Sequence, residues 1–234
     1  MSIIKTNKRG SLIIISGTTC AGKGTVIQKL LERHKDMELS ISYTSREIRE
    51  GDIPDQTYHF VTKEKFEDMI EEGAFLEYEK VHYGQYYGTP KQNIEKKLSE
   101  GINVILEIDV KGAQKVKEML PETILIFILA PSMELVKERI KARGAENAEQ
   151  IIKRFEVAYR EINEINKYNY VVVNDDLEEA VEKVEAILIS EKCRVDRIEE
   201  IAVENQEEII HEFLMAKEFD NEIKPIDDRF TENT

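Results

Sequence analysis

The segment Ile13-Ile14-Ile15-Ser16-Gly17-Thr18-Thr19-Cys20-Ala21-Gly22-Lys23-Gly24-Thr25 runs from an apolar stretch into two glycines five apart, the second followed by lysine. Glycines let a backbone curl until its amide groups point inward, and a helix that starts behind them adds the positive end of its dipole. A curl of this kind, with strand before and helix after, holds the phosphates of a nucleoside triphosphate, and the Lys23 ammonium reaches the terminal ones. The residue after such a lysine is commonly Ser or Thr and binds Mg²⁺. Here it is Gly24, with Thr25 next. Thr25 is therefore expected to bond a phosphate, and Mg²⁺ to be held mainly by phosphates and water. A thiol near a helix N-terminus and a lysine can be acidified, so Cys20 is either a redox-sensitive group or a small space-filling residue.

A second set of residues suits a second phosphate. Ser42-Tyr43-Thr44-Ser45-Arg46-Glu47-Ile48-Arg49 carries two arginines three apart, followed by Tyr58, Glu77 and Tyr86-Tyr87-Gly88-Thr89. Arginine forks pair bidentately with phosphate oxygens, and tyrosine hydroxyls add uncharged donors. A solvated basic loop with structural tyrosines is the competing reading. Further on, Leu106-Glu107-Ile108-Asp109 ends an apolar run. Residues two apart on a strand face one side, so both carboxylates can enter one cleft. Asp109 either organises Mg²⁺ through water or caps the next helix. Arg139 and Arg143 are four apart on one helix face, and Arg154 follows in the next helix. They can close over a triphosphate and neutralise charge on a moving phosphoryl group, or pair with surface glutamates. Asn174 either contacts the nucleotide base or caps a helix.

The positioning elements follow from periodicity. Near-continuous apolar runs at Leu12–Ser16, Val104–Ile108, Ile124–Ala130 and Tyr170–Asn174 predict parallel strands covered on both faces. Helices are predicted at Thr25–His34, Met133–Arg143, Glu149–Asn166 and Asp175–Lys192. Strands alternating with helices give an α/β fold: a parallel sheet bearing the phosphate loop and flanked by helices. Residues 40–90 break the rhythm with short β-like pieces and one helix, Lys63–Glu72, as an α+β insertion would. Residues 142–149 are polar, with Gly and Ala, and suit a small mobile lid.

The core is thus expected at about 10–39 and 91–194, within a domain spanning 1–194. Residues 195–234 carry 13 acidic and 4 basic side chains, a net of −9 out of −14 for all 234 residues. They read as an acidic extension, helical near Ile209, Ile210, Phe213 and Leu214, then disordered after Pro225. The acidic balance argues against nucleic acid or anionic membrane as a general partner. No apolar run is long enough to cross a bilayer and none resembles a signal peptide, so a cytoplasmic location is expected. Two cysteines fit a reducing compartment, and the four histidines show no metal-ligand spacing.

Taken in order, the motifs resemble those of guanylate kinases. They are the phosphate loop, Ser40-x-Ser42-x-Thr44-x-Arg46-x-x-Arg49-x-Gly51, the Tyr-Tyr-Gly-Thr run 86–89, residues 106–113 (LEIDVKGA), Arg139-Ile140-x-x-Arg143-Gly144 and residues 171–177 (VVVNDDL). The resemblance covers about residues 10–192. It implies transfer of the γ-phosphoryl group of ATP to GMP, and to dGMP, with Mg²⁺. It assigns the GMP phosphate to Arg46, Arg49, Tyr58 and Tyr87, and the guanine to Ser42, Glu77 and Thr89, with Glu107 and Asp109 nearby. It implies that Lys23, Arg139, Arg143, Arg154 and Asp109 serve the transfer. Guanine offers N1–H and N2–H₂ donors beside the O6 acceptor, which a carboxylate and a hydroxyl complement. The loop departs from the family's usual Gly-Pro-Ser-Gly by reading Gly17-Thr18-Thr19-Cys20. Lys111 stands where many members have Gln, Asp52 replaces a frequent Glu, and one extra residue falls near Val81–Gln85. Two other functions are open to such a chain: a non-catalytic binding module of the same fold, and a kinase of another small phosphorylated acceptor.

Overall fold

A computed structural model describes residues 4–6, 9–49, 51–80, 84–142 and 148–201. The chain divides into two compact units, Lys8–Glu191 and one drawn from both ends. The described part of the latter includes an antiparallel ribbon of β1 (Ile4–Thr6) and β11 (Ile198–Ile201). The acidic extension therefore begins with a 3-10 turn, Val195–Arg197, followed by a strand. Three- and four-residue strands are too short to show a period of two, so the sequence carries no signal for them. Residues 209–214 lie outside the described residues.

The larger unit is built on a parallel sheet. Its strands are β2 (Leu12–Gly17), β3 (Met37–Leu39), β8 (Asn103–Leu106), β9 (Ile124–Leu129) and β10 (Tyr170–Val173), in the order β10-β9-β2-β8-β3. All four pairings are parallel. The central strand is buried throughout because alternate residues feed two separate cores. Ile13 and Ile15 join Ile105, Ile126 and Ile128 against α1 (Lys23–Arg33), α5 (Met133–Ala142) and α7 (Leu177–Lys192). Leu12 and Ile14 join Val104, Leu106 and Leu125 against α3 (Lys91–Ser99) and α4 (Val110–Met119). The sequence reading predicted four of the five strands. It missed β3, which has only three residues, and it carried the run Val104–Ile108 two residues beyond the observed end of β8.

The insertion forms its own sheet. β4 (Tyr43–Thr44), β5 (His59–Phe60), β6 (Phe75–Lys80) and β7 (Tyr86–Pro90) lie in the order β5-β4-β7-β6, with α2 (Lys63–Glu71) packed against them. Thr62 caps α2, its hydroxyl accepting from the Lys65 amide. The small core is aromatic: Phe66 of α2 is fully buried and stacks on Phe75 at 4.4 Å and Tyr86 at 5.1 Å. Gly88 makes room for it, since a β-carbon there would lie 2.9 Å from both Phe66 and Phe75. α6 (Ala148–Ile162) completes the helices. No helix among the described residues is long and apolar enough to cross a membrane.

Because Phe66 is the fully buried ring between Phe75 and Tyr86, Phe66→Ala should destabilise the protein by about 3–5 kcal/mol, read from chemical denaturation.

Candidate active site

The loop leaves the centre of the sheet at Gly17, where a β-carbon would sit 2.0 Å from the Ile128 carbonyl oxygen. It re-enters helix at Gly22, the N-cap of α1, at φ 89°. An inward curl of amides turns carbonyls outward, and side chains meet them. Lys23 Nζ donates to the carbonyls of Gly17 at 2.8 Å and Thr18 at 3.1 Å. Arg139 Nη1, from α5, donates to the Cys20 carbonyl at 3.0 Å. Asn174 Nδ2, at the end of β10, donates to the Ala21 carbonyl at 2.8 Å. Gly24 and Thr25 are exposed on the first turn of α1.

Asn174 does not cap a helix, which corrects one of its two sequence readings. Its buried amide braces the loop, while α7 is capped by Asp176, which accepts from the Glu179 amide. The same amide explains Gly22, whose β-carbon would stand 2.3 Å from Asn174 Nδ2. Cys20 is half-buried against the main core and holds a left-handed backbone at φ 62°. That packing favours the space-filling reading. Thr18 is fully buried and its Oγ1 has no hydrogen-bond partner.

Across from the loop the insertion supplies the second set. Arg46 is buried and grips Asp52 bidentately, Nη1 to Oδ2 at 2.7 Å and Nη2 to Oδ1 at 3.1 Å, while Nη1 also reaches the Glu47 carbonyl. Its guanidinium lies 5.3 Å from the Tyr58 ring centroid and 5.4 Å from that of Phe60. Tyr87 stands edge-on to Tyr58 at 5.6 Å. The bond to Asp52 holds the Arg46 proton more tightly, and the same bond, with the Arg49 amide, holds the Asp52 carboxyl below its usual range. Arg46, Tyr58 and Tyr87 thus form one cluster. The side chain of Arg49 is exposed, and its amide donates to Asp52 Oδ2 at 2.7 Å.

Glu77 and Thr89 face each other across β6 and β7, and Thr89 Oγ1 donates to Glu77 Oε1 at 2.6 Å. Both are buried. Burial pushes the Glu77 carboxyl up, against a downward pull from the Thr89 hydroxyl. A register shift between Phe75 and Glu77 inserts Leu76 as an extra residue. Without it Phe75 and Glu77 would share a face; with it Phe75 packs on Phe66 while Glu77 points the other way. Gly112 of α4 lets that helix approach, since a β-carbon there would lie 3.1 Å from Glu77 Oε2.

The two sets meet in a cleft of about 270 Å³ whose lining includes Gly17, Lys23, Ser42, Tyr58, Glu107 and Asp109. Glu107 and Asp109 lie beyond β8 rather than in it. Asp109 is the N-cap of α4, its Oδ1 accepting from the Gly112 amide at 2.8 Å, so it does cap a helix while also lining the cleft. Glu161 of α6 lines the cleft as well, and nothing in its surroundings in sequence marked it. Arg143, residues 144–147 of the expected lid and residues 81–83 lie outside the described residues, as does the Arg154 side chain. Among the described residues no group of three His, Cys, Asp or Glu side chains is placed to hold a metal ion.

The φ of 62° at Cys20 gives a test free of thiol chemistry. A β-carbon in this backbone region is strained and glycine is not. Cys20→Gly should therefore be more stable than Cys20→Ala by about 1 kcal/mol in thermal or chemical denaturation.

Known proteins share this arrangement. The guanylate kinase family model matches residues 9–191. A guanylate kinase of Clostridium perfringens is 54% identical over 214 residues, 92% of this chain and 99% of its own. One from Caldanaerobacter subterraneus subsp. tengcongensis is 55% identical over 203 residues, 87% of this chain and 98% of its own. The crystal structure of guanylate kinase from Anaplasma phagocytophilum superposes with a TM-score of 0.68 at 30% identity, covering 91% of this chain and 98% of that one. With the loop, the insertion and the cleft between them all in place, the chain belongs to the guanylate kinase family.

Proposed function

We infer that the chain transfers the γ-phosphoryl group of ATP to the phosphate of GMP, forming ADP and GDP. The observation that carries this is the shared cleft: the Lys23 loop on one wall, Ser42 and Tyr58 of the insertion on the other. Phosphoryl transfer needs alignment and charge neutralisation more than covalent chemistry. The attacking atom is an oxygen of the GMP phosphate, which is largely a dianion near neutral pH, so no base has to take a proton from it. The bond from the γ-phosphorus to that oxygen forms as its bond to the bridging β-oxygen breaks.

Each wall has a distinct task. Residues 17–25 cradle the ATP phosphates, with Lys23 and Arg139 supplying positive charge and Asn174 holding the loop's shape. Arg143 and Arg154 are proposed to add charge from the lid side. Arg46, Arg49, Tyr58 and Tyr87 hold the GMP phosphate. Asp52 already fixes the Arg46 fork, so little side-chain freedom is lost when phosphate arrives. Glu77 accepts from guanine N1–H and N2–H₂, and Ser42 and Thr89 complete the base contacts beside Glu107. Adenine presents an acceptor at N1, which a carboxylate repels. Mg²⁺ bound with the triphosphate would supply charge that offsets its oxygens, and Asp109, on the cleft wall with one oxygen accepting from the Gly112 amide, would hold the ion's water. A binding module of this fold has no use for an intact Lys23 loop.

A coupled assay of ADP release with ATP, Mg²⁺ and each of GMP, dGMP, AMP, CMP and UMP should show turnover with GMP and dGMP. Activity with AMP should be lower in kcat/KM by about 10³-fold or more. No turnover with any acceptor, despite nucleotide binding, would return the binding-module reading.

Glu77→Gln turns one accepting oxygen into a donor facing guanine's donors. It should lower kcat/KM for GMP by about 10²–10³-fold and leave ATP affinity within about twofold, by steady-state kinetics and calorimetry.

The pH dependence follows from burial. The Glu77 pKa is raised, so its accepting, ionised form is lost as pH falls through a value above the ordinary carboxylate range of about 4.3. Affinity for GMP, measured against pH, should fall on acidification through that step, and the step should be missing in Glu77→Gln.

A further inference from the structure

Ser16 is the one polar residue of β2 before its closing glycine, and it is fully buried. A hydroxyl in such a place is costly unless it is bonded. Its Oγ donates to the Ile108 carbonyl at 2.7 Å. The place of that bond in the sheet is informative. β2 pairs with β8 in a constant register that ends at Ile14 and Leu106. Carried two residues further, the same offset of 92 would set Ser16 against Ile108. The ladder stops short of that pair because β8 ends at Leu106. On its other side β2 stays paired with β9, Ser16 with Phe127 and Gly17 with Ile128. β2 thus unzips on one side only, and the cleft lined by Gly17, Lys23, Glu107 and Asp109 opens in that notch. The serine hydroxyl bonds across it.

We propose that Ser16 is a positioning residue: by holding the Ile108 carbonyl, its hydroxyl fixes residues 107–109 against the phosphate loop and so sets the Asp109 carboxylate for the transfer. The proposal rests on the reading of the cleft as the site of phosphoryl transfer. The bond joins two pieces of backbone that each carry a working group. On the loop side the next carbonyl, that of Gly17, accepts from Lys23 Nζ. On the other side the Ile108 carbonyl shares a planar peptide with the Asp109 nitrogen, so holding one restrains the other. Asp109 Oδ1 in turn accepts from the Gly112 amide. Asp109 is therefore held twice, through its peptide by Ser16 and through its carboxylate by Gly112. Without the hydroxyl the Ile108 carbonyl loses this donor, and the peptide is free to turn. Lys23 and Asp109 would keep their own local bonds but lose the strut that spaces them. In-line transfer is sensitive to a misplacement of that kind, while binding of either nucleotide alone is not.

The test is a double-mutant cycle on the full chain: wild type, Ser16→Ala, Asp109→Asn and the double variant. The readouts are kcat with ATP, Mg²⁺ and GMP, and the affinities for ADP and for GMP, each alone, by calorimetry. Asparagine preserves the cap that Asp109 gives α4. Ser16→Ala should lower kcat by about tenfold and leave both affinities within about twofold. The double variant should match Asp109→Asn in kcat within about twofold, since Ser16 acts through the group already changed. A merely structural role would weaken both affinities, and the two falls in kcat would multiply. Either result, in a wild type that turns GMP over, would overturn the proposal and leave the function intact. Failure of wild type to turn GMP over would overturn the reading of the cleft, and the positioning role with it.

Discussion

A backbone that turns its amides inward must turn its carbonyls outward, and a buried carbonyl without a donor is costly. This requirement organises the phosphate side of the molecule. The carbonyls of Gly17, Thr18, Cys20 and Ala21 are met by Lys23 from α1, Arg139 from α5 and Asn174 from the end of β10. Three separate elements therefore fix one loop, and the sheet order that sets β9 beside β2 and β10 beyond β9 determines where they stand. On the proposed function Arg139 and Lys23 serve twice, since the cations that bond these carbonyls also bring positive charge to the phosphates. The glycines follow from the same arrangement: Gly17 because Ile128 is adjacent, Gly22 because Asn174 is.

The acceptor side is organised by a different principle, preorganisation through buried polar pairs. Arg46 is locked by Asp52 over two aromatic rings, and Glu77 by Thr89 across a strand pair. Removing either partner leaves a buried group with an unmet need, so each pair is worth more intact than its distance alone suggests. The Phe66 stack beneath the sheet supplies the rigidity that side-chain pairs cannot supply for themselves.

Local chemistry was legible in the sequence. The loop, the arginine pair and the Tyr-Tyr-Gly-Thr run could be read because their spacing is their function. Four sheet strands could be read because each carries a near-continuous apolar run, although β10, at the sheet edge, buries one face only. What could not be read was set by distant partners. Asn174 reaches a carbonyl 153 residues away, and Glu161 finds the loop only through the packing of α6. Asp109 was read as either organising Mg²⁺ through water or capping a helix; it caps α4, and because β8 ends earlier than its apolar run it also lines the cleft. The backbone angle of Cys20 has no signature in a cysteine, and the Leu76 bulge has none in an ordinary β-like stretch.

That bulge gives base recognition a parity. Alternate residues of β7 face opposite ways, Tyr87 and Thr89 to one side, Tyr86 and Gly88 to the aromatic core. The single odd residue in β6 brings Glu77 to the first side while Phe75 stays with the second. Deleting that one residue, or adding another between Phe75 and Glu77, would exchange the base-reading face for the core face along the whole strand. A change of length beyond the Lys80–Tyr86 pair leaves the count unaltered. On the proposed reading of Glu77 and Thr89, guanine selectivity is thus arithmetically fragile inside the hairpin and indifferent to length beyond the Lys80–Tyr86 pair.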